Sequence, residues 1–279
     1  MLSRFTRTTA VLLMLALNCG AQTKSEPEFV SPLGAKFYSQ PDEKGQIAEA
    51  EKKLASDPKN IELIIALGRA QATVWRFRDA IATFTRGIEM DPSNAMLYRH
   101  RGHRYISTRQ LDKAVSDMER AAKLNDKNNE IWYHLALAYY LKGKFEKAAS
   151  AYEKAYAVSE RDDLRIATSD WLYMSYRRAG KIAEAARALA RITPDMKPGE
   201  SKVYFDRLML YKGLKKESEI LNDKMTDLEL ATAGYGIANW HLYSGDKAKA
   251  KELFQKITSG KAWSAFGFIA AETELTRMR

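Results

Sequence analysis

Cysteine is nearly absent, with one residue in 279, at Cys19. If the chain is cleaved after Ala21, the mature protein has none, which removes disulfides and thiol catalysis. Proline and glycine are scarce, at 7 and 15, which suits a mostly helical chain with short turns. No apolar run is long enough to cross a bilayer. The unbroken stretch Ala10–Leu17 has 8 residues, against the roughly 20 a spanning helix needs. The motifs GxSxG, HExxH and GxxxxGK[ST] do not occur. Histidines number only 4. His100 and His103 share part of one helix face, but Arg99, Arg101 and Arg104 surround them and oppose a cation. His134 and His241 fall within helices, as packing or surface residues. Asp57, Asp162 and Asp163 stand in connections, where helix capping explains them better than acid–base work. The sequence thus leads us to expect no enzyme, no metal and no cofactor.

What is present begins with an N-terminus of its own kind. Arg4 and Arg7 precede the apolar run, and Cys19-Gly20-Ala21 puts small residues before Gln22. That order predicts a signal peptide over residues 1–21; the plain alternative is an amphipathic first helix. Alternatively, Cys19 becomes the lipidated first residue of a bacterial lipoprotein and supplies a membrane tether. Asn18 departs from the small residue that this modification prefers. Removing residues 1–21 takes two arginines and no acid, so the net charge falls from +10 to +8. An exported, basic chain, periplasmic or secreted, points to acidic proteins, anionic lipid or cell-wall polymer, and away from nucleic acid.

Residues 22–44 carry three prolines and no helical period, so they read as an extended tether, with Phe29, Val30, Phe37 and Tyr38 docking on the first helices. Ile47, Ala50 and Leu54 form a helical stripe, a capping helix over 45–60 that Asp57-Pro58 ends. Three units of 34 residues follow, starting at Ile61, Ala95 and Asn129 and filling 61–158. The fourth place holds Ile64, Tyr98 and Trp132; the eighth, Gly68, Gly102 and Ala136; the eleventh, Gln71, Tyr105 and Tyr139. The twentieth is Ala80, Ala114 and Ala148; the twenty-fourth, Phe84, Met118 and Tyr152; the twenty-seventh, Gly87, Ala121 and Ala155. Small residues at eight and twenty let the two helices of a unit approach closely. In the third unit, Gly143 makes the tight turn between them.

This pattern resembles the tetratricopeptide repeat family. The resemblance implies an all-α superhelical solenoid of antiparallel helix pairs with terminal capping helices. There are departures. Arg101 stands where the family has leucine, its stem packing while its guanidinium reaches water. Asp126 and Glu160 replace the closing proline. Residues 159–230 read as divergent helical repeats. Within them, 199–225 keep only a helix–glycine–helix outline. Residues 231–279 regain one unit and end in a capping helix from Trp263 to Leu275. The order of segments also resembles exported bacterial lipoproteins of the NlpI type, adaptors for envelope enzymes.

In the tetratricopeptide fold, places five, nine, twelve and thirteen of each unit line a concave face. Here they are Ile65, Arg69, Ala72 and Thr73; Arg99, His103, Ile106 and Ser107; Tyr133, Leu137, Tyr140 and Leu141. The resemblance therefore implies a groove basic at one end and aromatic-aliphatic at the other. It would hold a protein or extended peptide, with Arg69 and Arg99 on a carboxylate and Tyr133 and Tyr140 as rigid contact area. The plain alternatives are a solvated face for the arginines and packing against the next unit for Tyr140 and Leu141. The family's carboxylate clamp does not match these residues, so chaperone tails are not implied. Two other readings stay open: a binder of anionic cell-wall glycan, with tyrosines on sugars and arginines on acidic groups, and an envelope enzyme.

Overall fold

The computed structural model describes residues 26–279. The expected signal peptide over 1–21, Cys19 within it and the first residues of the tether lie outside the described residues. The rest is an all-α stack of antiparallel helix pairs. A capping helix α1 (Gln46–Ser56) leads into α2 (Ile61–Thr73) with α3 (Phe77–Met90), α4 (Ala95–Ser107) with α5 (Leu111–Leu124), and α6 (Asn129–Leu141) with α7 (Phe145–Ala157). The three pairs start at Ile61, Ala95 and Asn129, in the register expected from the sequence.

Asn60, Asn94 and Asn128 stand one residue before these starts. Each side chain accepts hydrogen bonds from the backbone N–H groups two and three residues on. Such caps satisfy donors that would otherwise be left open, and each contributes about 1 kcal/mol. The small eighth place is steric: a Cβ at Gly68 would stand 2.5 Å from the Phe84 ring. Ala80, Ala114 and Ala148 are buried where the helices of each pair touch.

Two details differ from expectation. Arg101 is only partly exposed: it donates from Nε and Nη2 to both oxygens of buried Asp117, each at 2.8 Å, and lies over Tyr98 and Tyr105. A forked pair makes the half-buried guanidinium tolerable in the leucine place. The outline over 199–225 holds only one α-helix, α10 (Lys202–Tyr211), followed by a short 3-10 turn at Glu217–Glu219. Before it lie α8 (Asp162–Arg178) and α9 (Ile182–Ala190); after it come α11 (Asp227–Tyr243), α12 (Lys247–Thr258) and α13 (Phe266–Arg277). Buried Arg207 on α10 pairs with buried Asp170 on α8 and donates to the Thr232 carbonyl on α11 at 2.6 Å. That cation ties α10 to both α8 and α11.

The tether is not free over its described part. Strands β1 (Phe29–Val30) and β2 (Lys36–Phe37) pair antiparallel, the one sheet among the described residues. Phe37 stacks on Trp263 at 5.0 Å and meets Phe268 edge-on at 5.7 Å. The hairpin therefore docks mainly on the C-terminal segment rather than on the first helices. Its flanks do touch the first pair: Gln40 donates its N–H to the Val74 carbonyl, and Arg78 on α3 bonds to Glu26 and the Pro27 carbonyl. No described helix is long and apolar enough to cross a membrane.

Candidate functional site

The hollow of the second and third pairs is not an open groove. Helices α11 and α13 return into it. Phe266 packs its ring on His103 and His134 at 5.1 and 5.6 Å. Tyr235 on α11 donates its hydroxyl to that of Tyr140 at 2.8 Å. Glu272 and Glu274 on α13, both buried, pair with Arg109 at 2.8 Å and Arg178 at 2.9 Å. Arg277 donates to the Leu141 carbonyl at 2.7 Å.

This corrects the expected binding set. Ile106, Leu137 and Tyr140 are fully buried, at 0% exposure, and Leu141 and Ser107 are nearly so. They face inward as expected, but the chain itself covers them. Apolar burial by the chain's own helices needs no partner and loses no translational entropy, so the chain's own contact wins. Tyr133 is half-buried, edge-on to Tyr152 and His134. The aromatic-aliphatic end of the groove is therefore core.

The basic end survives. Arg69, Arg99 and His103 border a cavity of about 280 Å³, together with Ala72, Thr73, Phe84, His100 and Arg104. Arg69, on α2, is exposed. Arg99, on α4, is buried; its Nη2 pairs with Glu130 at 3.0 Å and its Nη1 meets His100 Nδ1 at 3.1 Å. Its Nε has no partner among the described residues. Arg104, half-buried, lies over the Phe77 ring at 5.1 Å. Among the described residues, neither Arg69 nor Arg104 meets a carboxylate within ion-pair distance; of the lining arginines only Arg99 does.

The charge at this pocket belongs to the guanidinium groups. Burial, then Arg99, Arg69 and Arg104, pushes the His100 imidazole down to about 3. Burial, then Arg104, His134 and Arg99, holds His103 well below its ordinary range. Both rings are neutral near pH 7. Burial, then Arg99, pulls Arg104 down to about 9, which leaves it charged at neutral pH. Among the described residues no group of three or more His, Cys, Asp or Glu is placed to hold a metal ion. Three guanidinium groups around a cavity with one carboxylate can take an anion, two oxygens to each fork.

The structure brings Arg69, Arg99 and His103 together around one cavity, leaves Ile106, Tyr133, Leu137 and Tyr140 out of its lining, and adds Arg104, which the repeat pattern does not single out. Arg104 holds the tenth place of its unit, outside the places taken as concave. The run Arg99-His100-Arg101-Gly102-His103-Arg104 was the available signal.

A profile described as tetratricopeptide repeat matches residues 99–163, which span most of the second and third pairs. Residues 99–163 belong to the tetratricopeptide repeat family. The tetratricopeptide fold is a protein-interaction scaffold and is typically not catalytic. Among solved structures, MamA is similar at 26% identity, over 53% of this chain and 79% of its own, with a TM-score of 0.47. YrrB, titled a TPR protein with an unusual peptide-binding site, is similar at 16% identity over 82% of this chain and 98% of its own, with a TM-score of 0.46. TTC0263, a thermophilic TPR protein of Thermus thermophilus, is similar at 20% identity over 59% of this chain and 89% of its own, with a TM-score of 0.49. No curated protein matches the chain.

Proposed function

We propose that this protein is an exported adaptor that holds an acidic, extended segment of a partner protein at the pocket of Arg69, Arg99 and Arg104. One observation carries the reading: of the three arginines around that cavity, only Arg99 meets a carboxylate among the described residues. Arg99 and Arg104 are held by Glu130 and the Phe77 ring, so a partner's carboxylate is bound with little ordering of these two groups at each encounter. Export rests on the N-terminal pattern of Arg4, Arg7, Ala10–Leu17 and Ala21. The glycan reading relied on Tyr133 and Tyr140 as stacking faces; Tyr140 is buried and Tyr133 half-buried, so sugar stacking there has no platform.

The test is fluorescence anisotropy with an extended Asp/Glu-rich peptide. Wild type binds it, and Arg69→Glu weakens binding at least tenfold while far-UV circular dichroism stays the same. Because Arg69 is exposed, the variant folds, and unchanged affinity would remove the pocket from the account. Export is tested separately by N-terminal sequencing of the envelope fraction. A mature chain beginning at Gln22 supports cleavage after Ala21, and an acylated Cys19 supports the tethered form.

A further inference from the structure

A second positive cavity shares no lining residue with the Arg69 pocket, and neither the repeat pattern nor the proposed adaptor role accounts for it. It measures about 580 Å³ and is bordered by Arg177 and Arg178 at the end of α8, Tyr243 at the end of α11, Lys247 and Lys251 at the start of α12, and Glu274 and Arg277 on α13. Five cations thus face one carboxylate.

Glu274 is buried and committed, since Arg178 and Arg277 both pair with it. Arg177 reaches no carboxylate among the described residues; it donates to the Tyr173 hydroxyl at 2.9 Å, and its guanidinium lies 4.3 Å from the Tyr243 ring centre. Its Nε and the Tyr243 hydroxyl are buried polar atoms with no partner among the described residues.

The arginines at the ends of α8 and α13 have a structural reason to be there, because helix C-termini favour cations. Lys247 and Lys251 have none. They occupy the first turns of α12, where the one acidic residue is the N-cap Asp246, already committed to the Lys249 N–H at 2.9 Å. A helix N-terminus is itself positive, so lysines there add repulsion rather than relieve it. Two exposed lysines and a stacked arginine therefore converge on one concavity whose lining side chains carry an excess of four positive charges.

We infer that this cavity binds a compact, soluble polyanion carrying two phosphoryl groups. Two such groups bring about −3 to −4 at neutral pH, which matches the excess, and they offer oxygens to both forked and point-charge donors. The exposed large apolar side chains, Val30, Tyr38, Met90, Ile182, Leu214 and Leu228, do not border the cavity. The apolar side chains that do line it, Leu242 and Met278, are half-buried rather than exposed, so no protruding apolar rim is there to enter a bilayer, and a soluble ligand fits better than a lipid headgroup.

Inorganic pyrophosphate is the probe, titrated calorimetrically into the folded chain, with thermal unfolding in parallel. Pyrophosphate binds wild type and raises its melting temperature. Lys247→Ala with Lys251→Ala weakens binding at least tenfold and leaves the ligand-free melting temperature within a degree or two, both side chains being exposed. Lys52→Ala with Lys59→Ala, two exposed lysines elsewhere, leaves binding unchanged and controls for the chain's overall positive charge. Arg69→Glu also leaves it unchanged, which keeps this site distinct from the Arg69 pocket. The inference is overturned if millimolar pyrophosphate gives no heat and no shift, if Lys52→Ala with Lys59→Ala weakens binding as much, or if only Arg69→Glu does.

Discussion

The turn between the two helices of each pair needs one residue in the left-handed region. Gly143 and Gly180 supply it at φ 74° and 73°, and Gly245 at 102°; Gly213 ends the unpaired α10 at φ 72°. In the first two pairs the same place holds Trp75 (φ 61°) and Arg109 (φ 59°). A side chain there costs about 1 kcal/mol of backbone strain, so it has to be offset by contacts. Both side chains reach the C-terminal segment: Trp75 packs on Trp263 at 5.4 Å, and Arg109 pairs with Glu272, donates to the Trp263 carbonyl and lies over Phe29 at 4.7 Å. Urea denaturation of Arg109→Ala is expected to show a loss of about 3–5 kcal/mol, because Glu272 stays buried without its cation. Arg109→Gly should lose roughly 1 kcal/mol less, since it relieves the turn. Equal losses would mean that the turn is not strained. The histidines supply a pH prediction. His100, pushed down to about 3, and His103 and His134, both held well below the ordinary value of 6.5, are neutral in the fold but protonate freely when unfolded. Stability is therefore full above pH 6.5 and lost as pH falls from there toward 3, by up to about 1.4 kcal/mol per pH unit for each ring. Chemical denaturation from pH 7.5 to 4.5 checks it, and replacing His100 with Gln should flatten the slope.

At the scale of the helix pair, close approach decides. Gly68→Ala improves helix propensity by about 1 kcal/mol, but its Cβ would meet Phe84 at 2.5 Å. Overpacking of about 1–3 kcal/mol should win, lowering the melting temperature by a few degrees. An unchanged or raised melting temperature would show that Phe84 can move aside. The α8–α10–α11 junction depends instead on one buried ion pair. Asp170→Asn keeps the shape but leaves Arg207 as a buried cation without its carboxylate, and should cost about 3–5 kcal/mol by denaturant unfolding. The caps at Asn60, Asn94 and Asn128 recur at the spacing of 34 that the helix pairs follow, because capping depends only on neighbours along the chain. The single helix of residues 199–225 was not legible. What fixes α10 is an ion pair between residues 37 apart in sequence, and no local pattern encodes that.

For the whole molecule, the closing of the hollow matters most. In an open repeat array each unit touches only its neighbours, and stability adds along the stack. Here β1, β2, α11 and α13 join the first pairs to the last, so distant units unfold together. Deleting residues 265–279 should strip Phe266 from His103 and His134, strand Arg109 and Arg178, and cost at least about 5 kcal/mol, read as a large fall in melting temperature and a gain in binding of an apolar dye. A shortened chain of nearly unchanged melting temperature would mean that α13 is only laid against the stack.

The sequence by itself determined the helices, their pairing, the 34-residue register and which side of each first helix faces the hollow, because periodicity and small residues act over short distances along the chain. It also carried Arg69, Arg99 and His103 as one basic cluster. Only the tertiary structure decided what covers Ile106, Leu137 and Tyr140. An apolar stripe reports that a surface leaves water and is silent about which surface it meets, and here it meets α11 and α13 from the half of the chain where the register is loosest.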